Sequence, residues 1–393
     1  MLKRFNPSAI DSDAAGPLTR RRLLVNAVAF AAASAGASRA LAMTDDVIRL
    51  GQSVALTGPL ADIGKAMHTG ARVCFDSINA RGGINGRRIE LVVRDDAYDV
   101  KRSQDNLRDF LKDPEMFGLF GVMGTPMVEA MLPMIRNTDV PCFAPLTGAS
   151  SARPADMRNV LNVRASYPEE ADRLVEHLAT IGLRRIAVVY QNNSFGKEVL
   201  QAAETAMRRY SLKAVATATV QNDASDAPAA AQAVAAANPE AVLIGLAGKP
   251  TIVFVKSIRA ARKGLPLYAL SVAAPTLAAL GEDSIGIAVS QVVPLPTNSV
   301  MPVVRDFTHA WRAANVGFEA SHLALEGYIN ARVFSEALRR SGKTINRKSF
   351  IDTAWSIKRY DLGGYELNFE QPGRNASRFV ELTMIGRSGR FIR

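Results

Sequence analysis

The chain has 393 residues but only two cysteines, two tryptophans and four histidines. Two cysteines exclude a small scaffold stapled by disulfides. Cys74 stands between Val73 and Phe75 in a helical pattern, and Cys142 in the short apolar run Val140–Pro145. Both read as core thiols, able to pair only if the fold brings them within reach. His68, His177, His309 and His322 are scattered and show neither an H-E-x-x-H pattern nor a Cys/His metal spacing. His68 reads as a helix-surface residue. Asp95, Asp96 and Asp99 cluster, but their spacing fits no calcium loop and reads as an acidic turn closing a strand. Tyr98, inside that turn, suits a surface or a cleft equally. There is no nucleophile elbow, P-loop or G-x-G-x-x-G. With no acid, base and nucleophile set, we expect no catalysis, no metal and no cofactor.

Long apolar runs and concentrated charge are missing too. Past residue 42 no stretch reaches the roughly 18 apolar residues of a membrane span, so no stable membrane insertion is expected once the leader is removed. The net charge is +11, but no Lys/Arg run is interleaved with aromatics, which argues against nucleic acid as a partner. Lys3, Arg4, Arg20, Arg21, Arg22 and Arg39 outweigh Asp11 and Asp13 at the N-terminus. The remaining positive charge is spread out and favours solubility and attraction of anions.

The N-terminus reads as an export leader. Thr19-Arg20-Arg21-Arg22-Leu23-Leu24 matches a twin-arginine motif, although the general secretory route accepts such residues as well. The apolar run Leu23–Ala37, interrupted by Asn26 and Ser34, is short for an anchor. Ala40-Leu41-Ala42 gives a small-x-small cleavage pattern, so removal after Ala42 is expected. No cysteine follows it for a lipid anchor.

Beyond the leader, strand-like and helical patterns alternate. In a first half, strands are expected at Ile48–Leu56, Ile89–Asp95, Gly118–Met123 and Pro141–Ala144. Helices are expected at Ile63–Asn79, Lys101–Lys112 and Val128–Asn137. A second half repeats the plan with strands Ile186–Tyr190, Lys213–Val220, Ala241–Leu246 and Leu267–Ser271. Its helices are Gly196–Tyr210, Ala227–Ala237 and Ile252–Lys263. Continuous apolar strands suit a parallel sheet covered on both faces. The fold class is α/β, with two doubly wound parallel-sheet lobes. The tail departs from the rhythm, with helices Val303–Asn315, His322–Ser341 and Lys348–Ile357, then strands Tyr365–Phe369 and Arg378–Ile385.

Ligands of open α/β sheets bind beyond the carboxyl ends of the strands. Three segments in the first half fall there: Thr57-Gly58-Pro59 to Ile63, Gly124-Thr125-Pro126, and Leu146-Thr147-Gly148. The second of these opens a helix, whose free N–H groups and positive end suit a carboxylate. The Thr125 hydroxyl adds a donor there, or simply caps the helix.

Thr57-Gly58-Pro59, a helix ending in Asn79-Ala80-Arg81-Gly82-Gly83-Ile84-Asn85-Gly86, and a strand closing on Asp95-Asp96 together resemble the branched-chain amino-acid-binding proteins of bacterial ABC importers. The resemblance runs over nearly all of the chain after the leader. It implies the type I periplasmic binding protein fold, with a three-crossing hinge near Arg164–Tyr167, Val292–Pro296 and Asp361–Gly364. Residues 43–164 with 295–361 would form lobe 1, and 165–294 with 362–393 lobe 2. It also implies a periplasmic protein that hands a small amino acid or organic carboxylate to an ABC permease in the inner membrane. The alternative is a sensor presenting the solute to a membrane signalling receptor.

By the same resemblance, Thr125 would hold the ligand carboxylate, and the backbones of Leu146 and Gly148 would contact its ammonium and carboxylate. Ile63 would form a wall, and Phe195 would close over the ligand. Two positions depart from the family pattern: its second-lobe aromatic falls near Ala247, and the acid that pairs with the ligand ammonium falls near Ser271. Small neutral residues there imply a larger or less cationic ligand, because a buried ammonium without a counter-charge is costly.

Overall fold

A computed structural model describes residues 47–393; the expected leader and its cleavage site lie outside the described residues. The first sheet has the order β2-β1-β3-β4-β5, from β1 (Val47–Val54), β2 (Arg88–Asp95), β3 (Met116–Phe120), β4 (Cys142–Phe143) and β5 (Val160–Leu161). The pairs β1–β3, β3–β4 and β4–β5 are parallel. Helices α1 (Ala61–Asn79), α2 (Val100–Lys112) and α3 (Thr125–Ile135) alternate with these strands.

After α4 (Tyr167–Thr180) the plan repeats, with β6 (Ile186–Gln191), α5 (Ser194–Arg209), β7 (Ala216–Val220), α6 (Ala227–Ala236), β8 (Ala241–Gly245), α7 (Lys249–Ala261) and β9 (Leu267–Ala269). A short α8 (Ala274–Ala278) and β10 (Ala288–Gln291) follow. The second sheet adds β13 (Glu381–Ile385) and β14 (Phe391–Ile392) in the order β14-β13-β10-β9-β8-β6-β7. Its β7-β6-β8-β9-β10 portion is parallel. β13 and β14 run antiparallel.

The tail helices α9 (Pro302–Ala313), α10 (His322–Arg340) and α11 (Arg347–Ser356) return to the first sheet. The approach of α1 to α10 is close because both carry glycine at the contact. A Cβ on Gly70 would fall on the Ala324 carbonyl, and one on Gly327 on the Met67 carbonyl. Beside it lies an aromatic core of Phe75, Phe120, Phe143, Phe334 and Phe350, with neighbouring ring centroids 4.9–6.4 Å apart. Cys74 and Cys142 are both buried and unpaired, and burial pushes each thiol up to about 12.

Several elements differ from the sequence reading. Helix α4 and strand β10 were not anticipated. Asp361–Gly364, expected as the third crossing, is the turn of a hairpin between β11 (Tyr360–Asp361) and β12 (Glu366–Leu367). Gly363 and Gly364 supply its positive φ angles of 86° and 90°. The chain instead reaches the second sheet after Ser377. Ala376 and Ser377 donate backbone hydrogen bonds to Asn162 and Val163, both 2.9 Å, which lays this strand of chain beside the segment entering α4. The Tyr365 hydroxyl donates to the Val292 carbonyl at 3.1 Å, joining the segment after β10 to the same place.

Candidate functional site

A cavity with an empty volume of about 330 Å³, mouth included, lies between the carboxyl ends of the two sheets. Its first wall comes from Leu60 and Ile63 after β1, Tyr98 after β2, Met123, Gly124 and Thr125 after β3, and Leu146 after β4. Its second comes from Tyr167 at the start of α4, Phe195 after β6, Ala247 after β8 and Val272 after β9. The lining holds no charged side chain.

The acidic turn braces this wall. The Asp95 carboxylate accepts from the N–H groups of Leu56, Thr57 and Ala97 at 2.8–3.2 Å and from the Thr57 hydroxyl at 2.5 Å. Burial opposes its charge, but these donors hold the carboxyl well below the usual range. Asp96 accepts from the Ser53 hydroxyl and the Tyr98 N–H, and Asp99 caps α2 through Arg102 N–H at 2.8 Å. The three acids therefore fix Leu56 and Thr57 at the end of β1, Tyr98 and a helix start. His68 is half-buried rather than on the surface: its Nδ1 meets Gln52 Oε1 at 2.7 Å, and burial, with Arg72 adding, lowers it to about 4.

Gly124 precedes α3 with φ 101°. A Cβ there would lie 2.7 Å from both Tyr98 Cε2 and Met127 Cε, so glycine lets the tyrosine lie across the helix start. Thr125 does not cap the helix: the cap position is Gly124, with no side-chain bond. Its Oγ1 sits 2.7 Å from Thr147 Oγ1, and Thr147 Oγ1 also accepts from Ala149 N–H at 3.1 Å. Thr125 lies in the first turn of α3, where the N–H groups have no intrahelical acceptor and the helix end is positive.

Ile63, Thr125, Leu146, Phe195 and Ala247 thus line the cavity, while Thr147, Gly148 and Ser271 stand behind it. Gly148 supports Tyr167, whose ring fills the space a Cβ would need and whose N–H donates to its carbonyl at 2.7 Å. Ser271 is buried in a polar cluster, accepting from Arg164 Nη2 at 2.6 Å and donating its N–H to Glu170 at 2.9 Å. Val272, one residue on, faces the cavity instead. Sequence reasoning missed Met123, Tyr167 and Val272. The signal for Tyr167 was present, since Ser166 and Glu169 form a capping box that places it at a helix start.

Arg164 is 2% exposed. It contacts Glu170 at 2.9 Å, Glu326 of α10 at 3.5 Å and the Tyr167 ring at 5.9 Å. Burial works against the guanidinium, but the two glutamates raise it further. Burial raises Glu326, with Arg164 pulling it back.

The two walls also touch outside the cavity. Glu198 of α5 accepts the N–H groups of Ser150 and Ser151, from the loop after β4, both at 3.1 Å. Gly248 sits where a Cβ would meet the Pro59 carbonyl at 2.8 Å. Glu198→Gln keeps the shape but loses a charged acceptor, which removes about 1 kcal/mol from the closed arrangement. Titration calorimetry should then read roughly fivefold weaker ligand binding with an unchanged melting temperature in the absence of ligand.

Residues 47–389 match the family model described as periplasmic binding protein. The chain belongs to that family. This periplasmic binding protein is 32% identical to a substrate-binding periplasmic protein from Ralstonia solanacearum, with a TM-score of 0.81 over 88% of this chain and 99% of that one. It is 26% identical to a possible leucine/isoleucine/valine-binding protein from Rhodopirellula baltica, with a TM-score of 0.82 over 88% and 96% of the two chains. It is also 26% identical to Leu/Ile/Val-binding protein homolog 7 of Brucella abortus over 89% of this chain and 90% of that protein. The type I periplasmic binding protein fold follows. The family is one of periplasmic solute-binding proteins rather than enzymes. Among the described residues no helix is long and apolar enough to cross a membrane.

Proposed function

We propose that this periplasmic binding protein captures a small amino acid or organic carboxylate between its lobes and delivers it to an ABC importer in the inner membrane. The observation that carries the reading is an apolar cavity lined from the ends of both sheets, with its polar corner at Thr125 and the start of α3. The names of its relatives support an amino-acid-like solute. Contacts from both walls favour the closed form, which the importer would recognise. Micromolar affinity, about −8 kcal/mol, suffices for such capture. We take residues 48–163 with 295–376 as lobe 1 and 165–294 with 377–393 as lobe 2. This keeps the β11–β12 hairpin with α9, where Val303 N–H bonds Gly363. We further propose export by the Arg20–Arg22 leader with cleavage after Ala42.

Thr125→Ala removes the one hydroxyl that lines the cavity outside the aromatic residues. Loss of a hydrogen bond to a charged group predicts roughly tenfold weaker binding. Thermal-shift screening identifies the solute, since a ligand of the native state raises the melting temperature, and calorimetry reads the change. Unchanged affinity in a folded variant removes Thr125 from the site.

A further inference from the structure

We infer that the preferred ligand is a carboxylate without a neighbouring amino group, on a branched or aromatic apolar body. The inference rests on the solute-capture reading above and narrows its substrate class. It comes from an imbalance between donors and acceptors around the cavity. The polar corner offers donors. Thr125 and Thr147 share one hydrogen bond between their hydroxyls, and Thr147 Oγ1 also receives the Ala149 N–H. The pair shares one proton between its oxygens and holds a second, and of the two residues Thr125, 1% exposed, is the one that lines the cavity. The first-turn N–H groups of α3 add to it, and together they suit an anion.

An ammonium needs a counter-charge, and no carboxylate lines the cavity; its only side-chain oxygens are hydroxyls, and the nearby carbonyls each already accept one N–H. The Leu146 carbonyl receives Gly124 N–H at 3.1 Å, and the Gly148 carbonyl receives Tyr167 N–H at 2.7 Å. The carbonyls of Thr147 and Ala149 receive Arg153 Nη1 at 3.2 and 2.8 Å. The buried carboxylates are held by other protein groups, Glu326 by an ion contact to Arg164 without a hydrogen bond. Glu170, 0% exposed, takes Arg164, the Ser271 N–H and the Ser290 hydroxyl. Glu326 faces Arg164, and Glu198 holds the Ser150 and Ser151 N–H groups. The second wall presents the side chains of Tyr167, Phe195, Ala247 and Val272, none of which carries a charge. An amino acid would bury its ammonium unpaired, whereas its deamino analogue would not.

Calorimetry on the purified chain with matched pairs tests this: 4-methylpentanoate against leucine, 3-methylbutanoate against valine, and 3-phenylpropanoate against phenylalanine. The expected result is that, in at least one pair, the acid binds roughly tenfold or more tightly than the amino acid. Val272→Glu should reverse that preference; an unchanged preference in the folded variant overturns the inference. Equal or tighter binding of the amino acids also overturns it, yet leaves solute capture standing. Binding of neither member of any pair overturns it as well. If a broad screen of small solutes then also finds none that binds, the capture reading falls with it.

Discussion

Ala247→Trp is expected to weaken solute binding roughly 100-fold or more, about 2.7 kcal/mol, while the protein without ligand keeps its fold. Ala247 is 5% exposed and lines the cavity, and its N–H is fixed by Gln191 Oε1 at 3.0 Å. The backbone that carries residue 247 is therefore held, and an indole added there has only the cavity to enter. The cavity is narrow, with walls from both sheets meeting around it. An indole either occupies the solute's space or holds the walls apart, and both outcomes abolish the two-sided contacts that drive closure. Calorimetry with the solute found by thermal shift reads the loss, and circular dichroism with the ligand-free melting temperature reads the fold. Wild-type affinity in the variant would place the solute elsewhere.

Arg164→Ala should destabilise the protein by about 3–5 kcal/mol, the cost of removing one partner from a buried ion pair. The guanidinium is the shared counter-charge for Glu170 and Glu326, which are 0% and 2% exposed. Without it two buried carboxylates are left with no counter-charge, and at least one must take up a proton. The sites are coupled, so Arg164→Ala combined with Glu326→Gln should cost less than the two single changes added together. Denaturant unfolding of the four proteins in that cycle is the check. Strict additivity would mean that Arg164 and Glu326 do not act as a pair. The cluster ties the segment entering α4 to α10 of the first lobe and to Ser271 and Ser290 of the second, so the same changes should alter closure.

The doubly wound plan was readable because its strands are continuous apolar runs, and even the alanine-rich Ala227–Ala236 forms its helix. What escaped had weaker local signals or competing ones. Strand β10 is four residues inside a longer apolar stretch that reads equally well as a crossing. Helix α4 carries a capping box, but its start at Ser166 and Tyr167 overlaps the crossing expected near Arg164–Tyr167. The paired glycines Gly363 and Gly364 suit a hinge or a hairpin turn, and only the partner strand decides between them.

In the site, residues just past strand ends were legible because sheet topology fixes that rim; Ile63, Thr125, Leu146, Phe195 and Ala247 fall there. The exchange of Ser271 for Val272 was not legible. A turn of 3-10 helix over Ser271–Ala273 decides which side chain points to the cavity, and local composition does not encode it. Glu326 was also out of reach, because on sequence alone a glutamate in α10 looks like a solvated helix charge, and its partner Arg164 lies in a distant segment.

The central claim is that a solute binds between the lobes and draws them together. Small-angle X-ray scattering of the purified chain, with and without a saturating amount of the solute that raises its melting temperature, tests it most directly. The account predicts a smaller radius of gyration with solute in the wild type and no change in Ala247→Trp. Superimposable wild-type curves with and without a solute that demonstrably binds would contradict it.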